Sequence, residues 1–218
     1  MINYELRCTH AVGRQHGVKS PKEGFQMKRK RSISTKTLTL AGLLTAIVVV
    51  LQLLGSFIRL GPFSVSLVLI PIVIGAATCG PAIGAWLGTV FGIVVLMTDA
   101  AAFLAVDPLG TVITVLLKGF ACGLIAGLVY KLFEKKNIYV AVVAAAVVCP
   151  IVNTGVFLLG CLLFFFKTIE SWGLAEGYGS AAEYMFLGLA GGNFIFELVT
   201  NIILSPVVVR LLNIRKKK

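Results

Sequence analysis

Charged side chains are scarce in this sequence: Asp, Glu, Lys and Arg together supply 13% of its 218 residues, where an ordinary soluble domain carries roughly 25%. Hydrophobic residues make up 58%. A soluble fold of this length buries roughly 70% of its unfolded surface and has no room for such an excess. The same composition excludes disorder, collagen and coiled coil. Histidine is nearly absent, with only His10 and His16 in the polar N-terminal stretch. The five cysteines (Cys8, Cys79, Cys122, Cys149, Cys161) form no CxxC pair, and four lie inside apolar runs, where they read as small buried hydrophobes. No GxxxxGK[ST] phosphate loop, HExxH or GxSxG occurs, so the residues for those ATPase and hydrolase chemistries are missing. The chain reads as a non-enzyme that calls for no cofactor.

What charge there is carries a clear bias, 20 Lys and Arg against 9 Asp and Glu. Nine of the basic residues precede residue 37, five fall at or after Arg210, and Lys131, Lys135 and Lys136 share one short polar break. They flank apolar runs instead of lining one face, which is the pattern of a topology signal and not of a nucleic-acid surface. Residues 1–36 read as a basic, disordered tail, with Met27 before the Lys28 to Arg31 cluster resembling a normal start, and residues 213–218 as a second basic tail. The first apolar run is too long for a signal-peptide core of about 7–15 residues and reads as an uncleaved span.

A hydrocarbon core of about 30 Å takes about 20 helical residues to cross. Six runs approach that length: Thr37–Ile58, Ser64–Cys79, Ala82–Thr98, Leu109–Phe133, Ile138–Phe166 and Ala182–Leu212. The expected fold is an all-α integral membrane protein, a compact bundle of six transmembrane helices over residues 37–212. With both termini cytoplasmic, both basic tails and the Lys131–Lys136 break lie on the inner side. Gly80, Gly84, Gly88 and Gly92 recur every four residues in the third run, and Gly119, Gly123 and Gly127 in the fourth. Such small-xxx-small stripes let membrane helices approach closely. Gly42 and Ala46, flanked by Ala41 and Thr45, form a related pair in the first run.

An ionisable residue at the centre of a membrane helix costs about 2.5–3.5 kcal/mol and asks for a reason. Lys118 lies about nine residues, roughly 14 Å, into the fourth run, and Glu197 roughly 20 Å into the sixth, so the two fall at similar depth. Asn153 in the antiparallel fifth run falls near the middle as well. Asn193, Glu197, Thr200 and Asn201 share one helical face, as do Thr111, Thr114 and Lys118. The pattern fits a water-accessible pocket bounded by the last three helices, where Lys118 pairs with an anionic group of a solute and Asn153, Asn193, Asn201 and Thr114 orient it. A plain structural ion pair between Lys118 and Glu197 is the alternative. Asp99 and Asp107 read as solvated loop charges. Phe57, Phe63, Phe157, Phe164, Trp172 and Tyr184 read as interfacial belt and packing, or as stacking partners for a ring. Gly61–Ser66 reads as a lid over the outer side or a tight connection.

The stretch FSVSLVLIPIVIGAATCGPAIGAWLGTVFG, Phe63 to Gly92, resembles the second and third helices of substrate-binding S components of energy-coupling factor (ECF) transporters, with an Ile-Pro, a Gly-Pro turn and a glycine-spaced helix. CPIVNTGVFLLG, Cys149 to Gly160, and ELVTNIILSP, Glu197 to Pro206, resemble the fifth and sixth helices of its pantothenate-type subgroup. The resemblance implies a six-helix subunit of a bacterial plasma membrane that captures a water-soluble vitamin from outside. It implies as partners a transmembrane coupling protein and two ATPases, with Ala41, Gly42, Thr45 and Ala46 in the docking surface and pantothenate as the solute. Riboflavin, folate or another vitamin is the alternative within the family. Outside it, the residues suit an autonomous secondary carrier or channel.

If the apolar runs span a bilayer, the expressed chain stays in the membrane pellet after an alkaline carbonate wash; release into the supernatant contradicts the reading.

Overall fold

A chain in hydrocarbon must satisfy its backbone N–H and C=O groups internally, and helices do so segment by segment. The computed structural model describes residues 35–57, 59–60, 63–64 and 67–216. Among these, the elements are α1 (Thr35–Gly55), a two-residue antiparallel hairpin of β1 (Arg59–Leu60) and β2 (Phe63–Ser64), α2 (Leu69–Cys79), α3 (Pro81–Thr98), α4 (Ala101–Leu104), α5 (Pro108–Phe133), α6 (Ile138–Phe164) and α7 (Phe166–Ala175). The last span begins as α8 (Ala181–Glu183), widens into a π-helix (Tyr184–Gly191) and continues as α9 (Gly192–Lys216). Residues 1–34 and 217–218 of the expected tails, and Gly61, Pro62, Val65 and Ser66 of the expected lid, lie outside the described residues, whereas Asn213 to Lys216, expected as tail, continue α9.

Among the described residues, five helices are long and apolar enough to cross a membrane: Thr35–Gly55, Pro81–Thr98, Pro108–Phe133, Ile138–Phe164 and Ala181–Ile214. The expected span Ser64–Cys79 is shorter than the sequence suggests. Ser64 belongs to the hairpin, and the helix that follows has 11 residues, about 16 Å of rise, half the hydrocarbon thickness. It is buried along Leu69, Pro71, Ile72, Val73, Gly75 and Ala76 and touches α1, α3, α5, α6 and α9. Gly80 ends it with φ of 98°, a conformation that costs a residue without Cβ little. Pro81 opens α3 at a position where its missing N–H is not needed.

Caps mark the other ends. The Asp107 carboxylate accepts from the backbone N–H groups of Leu109 and Gly110, both at 3.1 Å, and so starts α5. Asn137 Oδ1 accepts from Tyr139 N at 2.8 Å and starts α6. Asp107 is therefore a helix cap, not the solvated loop charge expected of it.

The bundle is organised around α5, which lies against α3 on one side and α6 on the other, with α9 next to α6. The glycine stripes explain the α3–α5 contact. A Cβ on Gly88 would collide with the carbonyl of Gly119, one on Gly119 with the carbonyl of Gly88, and one on Gly123 with the carbonyl of Gly84. The two backbones thus touch directly, gaining the dispersion contact that membrane helices rely on where lipid removes the hydrophobic drive. Gly92 packs on Val115 and Leu116, and Gly127 on Pro81.

The main core joins Val48, Leu69, Ile72, Leu87, Phe91, Cys122, Ala126, Val142 and Val209 from six helices. A smaller core of Phe103, Cys161, Phe165, Ile169, Tyr184, Met185 and Leu189 closes the end formed by α4, α7 and the π-helix. Large apolar side chains such as Leu53, Ile93, Leu117, Leu163 and Ile203 face outward on every long helix, an exposure that suits lipid and not water.

Gly88→Ala is expected to lower stability by about 1–3 kcal/mol through overpacking. Gly42→Ala, where a Cβ meets nothing within 4 Å, is expected to leave it unchanged or slightly raised. Thermal unfolding of the two detergent-purified variants checks the contrast.

Candidate functional site

The chemistry collects at the end of the bundle where α1, α3 and α6 finish and α5 and the last span begin, opposite the Lys131–Lys136 turn. Its hub is Glu197, one turn from both Asn193 and Asn201 on α9 and 1% exposed. Asn153 Nδ2 donates to Glu197 Oε2 at 3.4 Å and Asn193 Nδ2 to Oε1 at 3.1 Å. Asn201 Nδ2 donates instead to the backbone carbonyl of Glu197, one turn back on the helix, at 2.8 Å, and Asn201 borders none of the three cavities described below. Hydrogen bonds to an ionised acceptor are stronger than neutral ones, and they lower the cost of a carboxylate at this depth.

Lys118 faces the same region from α5. Its Nζ lies 5.7 Å from the ring centroid of Phe91 and 5.2 Å from that of Phe157, within cation–π range of both. It lines one cavity with Asp99 and another with Asn153 and Asn193, the partners of Glu197. The structure thus brings Lys118, Asn153, Asn193 and Glu197 together, as the depth argument expects. Thr114 also joins them, its hydroxyl buried, without a hydrogen-bond partner and packed on Gly160.

Three cavities follow one another here. An inner chamber of about 30 Å³ is bounded by Val95, Asp99, Phe103, Thr111, Thr114 and Lys118, with Phe157 and Phe165. A second, of about 40 Å³, shares Lys118 and Phe157 and adds Asn153, Thr154, Leu189 and Asn193. Since a water needs roughly 10–15 Å³ by this measure, each holds a few waters. A vestibule of about 320 Å³ lies beyond, lined by Asp99, Ala102, Phe103, Trp172, Glu176 and Tyr184 among others. Asp99 and Phe103 border both the vestibule and the first chamber, so they form the partition between them.

The pocket is therefore not bounded by the last three helices alone. Asp99, expected as a solvated charge, accepts from Gln52 Nε2 and from Thr98 Oγ1, both at 2.9 Å. It ties the fully buried Gln52 of α1 to the end of α3. Phe103 makes edge-to-face contacts with Phe157, Phe165 and Trp172 at centroid distances of 5.9, 5.1 and 5.4 Å. Of the six aromatics singled out in the sequence, Phe157, Trp172 and Tyr184 line cavities, Phe57 and Phe164 face outward, and the side chain of Phe63 lies outside the described residues.

Sequence reasoning missed Gln52, Asp99 and Phe103. The available signals were a glutamine inside an apolar run and one bulky ring in the segment from Asp99 to Asp107. Ala41, Gly42, Thr45 and Ala46 lie far along α1 from this site. Ala41 is buried, and Thr45 Oγ1 accepts from Trp86 Nε1 at 3.2 Å while bonding the Ala41 carbonyl, whereas Gly42 and Ala46 are exposed.

A family model described as "ECF transporter, substrate-specific component" matches residues 36–212. No curated protein matches the chain.

Asp99→Leu strands the buried Gln52 donor and is expected to cost about 1–3 kcal/mol. Gln52→Leu removes donor and acceptor together and is expected to cost less. Comparing the unfolding temperatures of the two variants tests whether Asp99 serves as the anchor of α1.

Proposed function

Because the chain belongs to the family of substrate-specific components of ECF transporters, we propose that it captures a small water-soluble, vitamin-like solute at the Lys118–Asn153–Asn193–Glu197 layer. The observation that carries the reading is a set of buried polar atoms without partners, Thr114 Oγ1, Asn153 Oδ1 and Asn193 Oδ1, beside cavities that lead to a vestibule. A purely structural network closes on itself; this one leaves hydrogen-bonding capacity unspent.

The positive-inside bias supports an orientation with the vestibule outside and both termini in the cytoplasm of a bacterial cell, α2 completing a six-helix bundle. The family supports partners that supply the energy, a transmembrane coupling protein with two ATPase subunits, and the missing GxxxxGK[ST] loop agrees with that reading. The exposed Gly42–Ala46 strip of α1 supports docking there, since small residues allow a partner helix to approach closely. Pantothenate is the solute that the sequence resemblance implies.

The purified chain is expected to bind its solute in detergent, yet to give no uptake into liposomes until coupling protein and ATPases are added. Gradient-driven uptake by the chain alone would select an autonomous carrier. Lys118→Ala is expected to weaken solute binding at least tenfold by calorimetry, and unchanged affinity removes Lys118 from the site.

A further inference from the structure

Beside the polar layer the bundle also opens sideways. A groove of about 230 Å³ runs between α6, which contributes Ile151, Gly155 and Leu158, and the last span, which contributes Phe186, Gly191 and Phe194. Both walls depart from regular α-helix here. Pro150, next to Ile151, lacks a main-chain donor, and the turns from Tyr184 to Gly191 are π-helical. The floor is low at Gly155, where a Cβ would meet nothing within 4 Å. Thr154 supplies the one polar side chain among the lining residues.

The rise per residue gives the depth and direction of the groove. Measured from the vestibule end of α6 at Phe164, Leu158 lies about 9 Å down and Ile151 about 20 Å. The last span starts at Ala181 and runs the opposite way, so Phe186 lies near the same upper level and Phe194 about 20 Å down. The groove therefore runs along the helices through the vestibule-side half of a hydrocarbon core of about 30 Å. Leu159 and Leu162 on one side and Leu187 and Ile195 on the other are exposed, which makes it continuous with the lipid-facing surface.

A recess in hydrocarbon fills, because an empty one forfeits the dispersion contacts of its lining. Its width selects the occupant. The whole space between the walls, about 510 Å³ with the open mouth included, spread over about 10 Å of rise, gives a section of at most about 50 Å². A helix about 10 Å across needs roughly 80 Å². An extended hydrocarbon chain, whose carbons touch neighbours at about 3.5–4.0 Å, is less than half as wide as a helix.

We propose that this groove seats one acyl chain of a phospholipid from the vestibule-side leaflet, lying along α6 with its methyl end toward Ile151 and Phe194. Thr154 and Ala190 border both the groove and the cavity of Lys118, Asn153 and Asn193. The seated chain thus backs the wall between that cavity and the bilayer, whatever the cavity itself binds.

The test reconstitutes the full chain in phosphatidylcholine vesicles doped with phosphatidylcholine that carries a diazirine midway along one chain, and maps the photo-adducts by peptide mass spectrometry. Each groove residue has a more exposed neighbour at the same depth, Leu159 at 59% beside Leu158 and Ile195 at 61% beside Phe194. Exposure alone therefore predicts more adducts on Leu159 and Ile195. The expected result is the reverse, at least fivefold more on Leu158 and Phe194. Gly155→Leu, which fills the floor, is expected to lower the groove adducts at least fivefold and leave those on Leu159 and Ile195 unchanged. Equal or weaker labelling of Leu158 and Phe194 in the wild-type chain overturns the proposal, and that comparison holds even where the variant fails to fold. Unlabelled groove residues together with cross-links between two copies assign the groove to a helix of a second chain and overturn it too. Groove adducts undiminished in a folded Gly155→Leu chain do the same.

Discussion

A carboxylate held in the interior of an apolar bundle is the constraint on which the rest of this architecture turns. Glu197 is almost completely buried, and a charge at such a place persists only with donors and an opposite charge close by. Those requirements draw Asn153 in from α6 and Asn193 from the preceding turn of its own helix, and Lys118 of α5 lies on the same cavity as the two asparagines. Three helices are thereby registered against one another at one level. The same demand uses the amide nitrogens and leaves the amide oxygens buried without a partner.

Placing Lys118 on that cavity depends on the glycine seam. Gly84, Gly88 and Gly92 of α3 lie against α5 at a separation no larger residue permits. The seam carries the Phe91 ring over the lysine nitrogen and brings Asp99, at the far end of α3, to the same cavity as Thr111 and Thr114. Asp99 in turn reaches α1 through Gln52. Packing with no chemistry of its own thus sets the distances on which the polar layer relies, and a methyl group added at Gly88 acts on both.

The π-helical stretch Tyr184–Gly191 contributes differently. It widens the start of the last span where Leu189 and Ala190 border the inner cavity and Tyr184 borders the vestibule, with the Tyr184 hydroxyl donating to Glu176 at 3.2 Å. Wide helical turns of this kind are frequent at functional sites. Together with α4 and α7, which do not span, it builds a cap of aromatic side chains over the polar layer.

Membrane residence, the long helices and the depth of Lys118, Asn153 and Glu197 were legible in the chain alone, because hydrophobic run length and a fixed rise per residue translate directly into position along a bilayer normal. The glycine periodicity was legible for the same reason, since a four-residue repeat occupies one helical face. Tertiary structure alone decided that Asp99 and Gln52 meet across 47 positions, that Phe103 is the partition and not loop filler, that the second apolar run shrinks to the 11 residues of α2, and that Asn153 and Asn193 spend their amide nitrogens on Glu197. Depth is a one-dimensional property that a sequence carries by counting. Which faces meet, and which end of an amide is spent on a neighbour, depends on rotations of helices about their axes that only their mutual packing fixes.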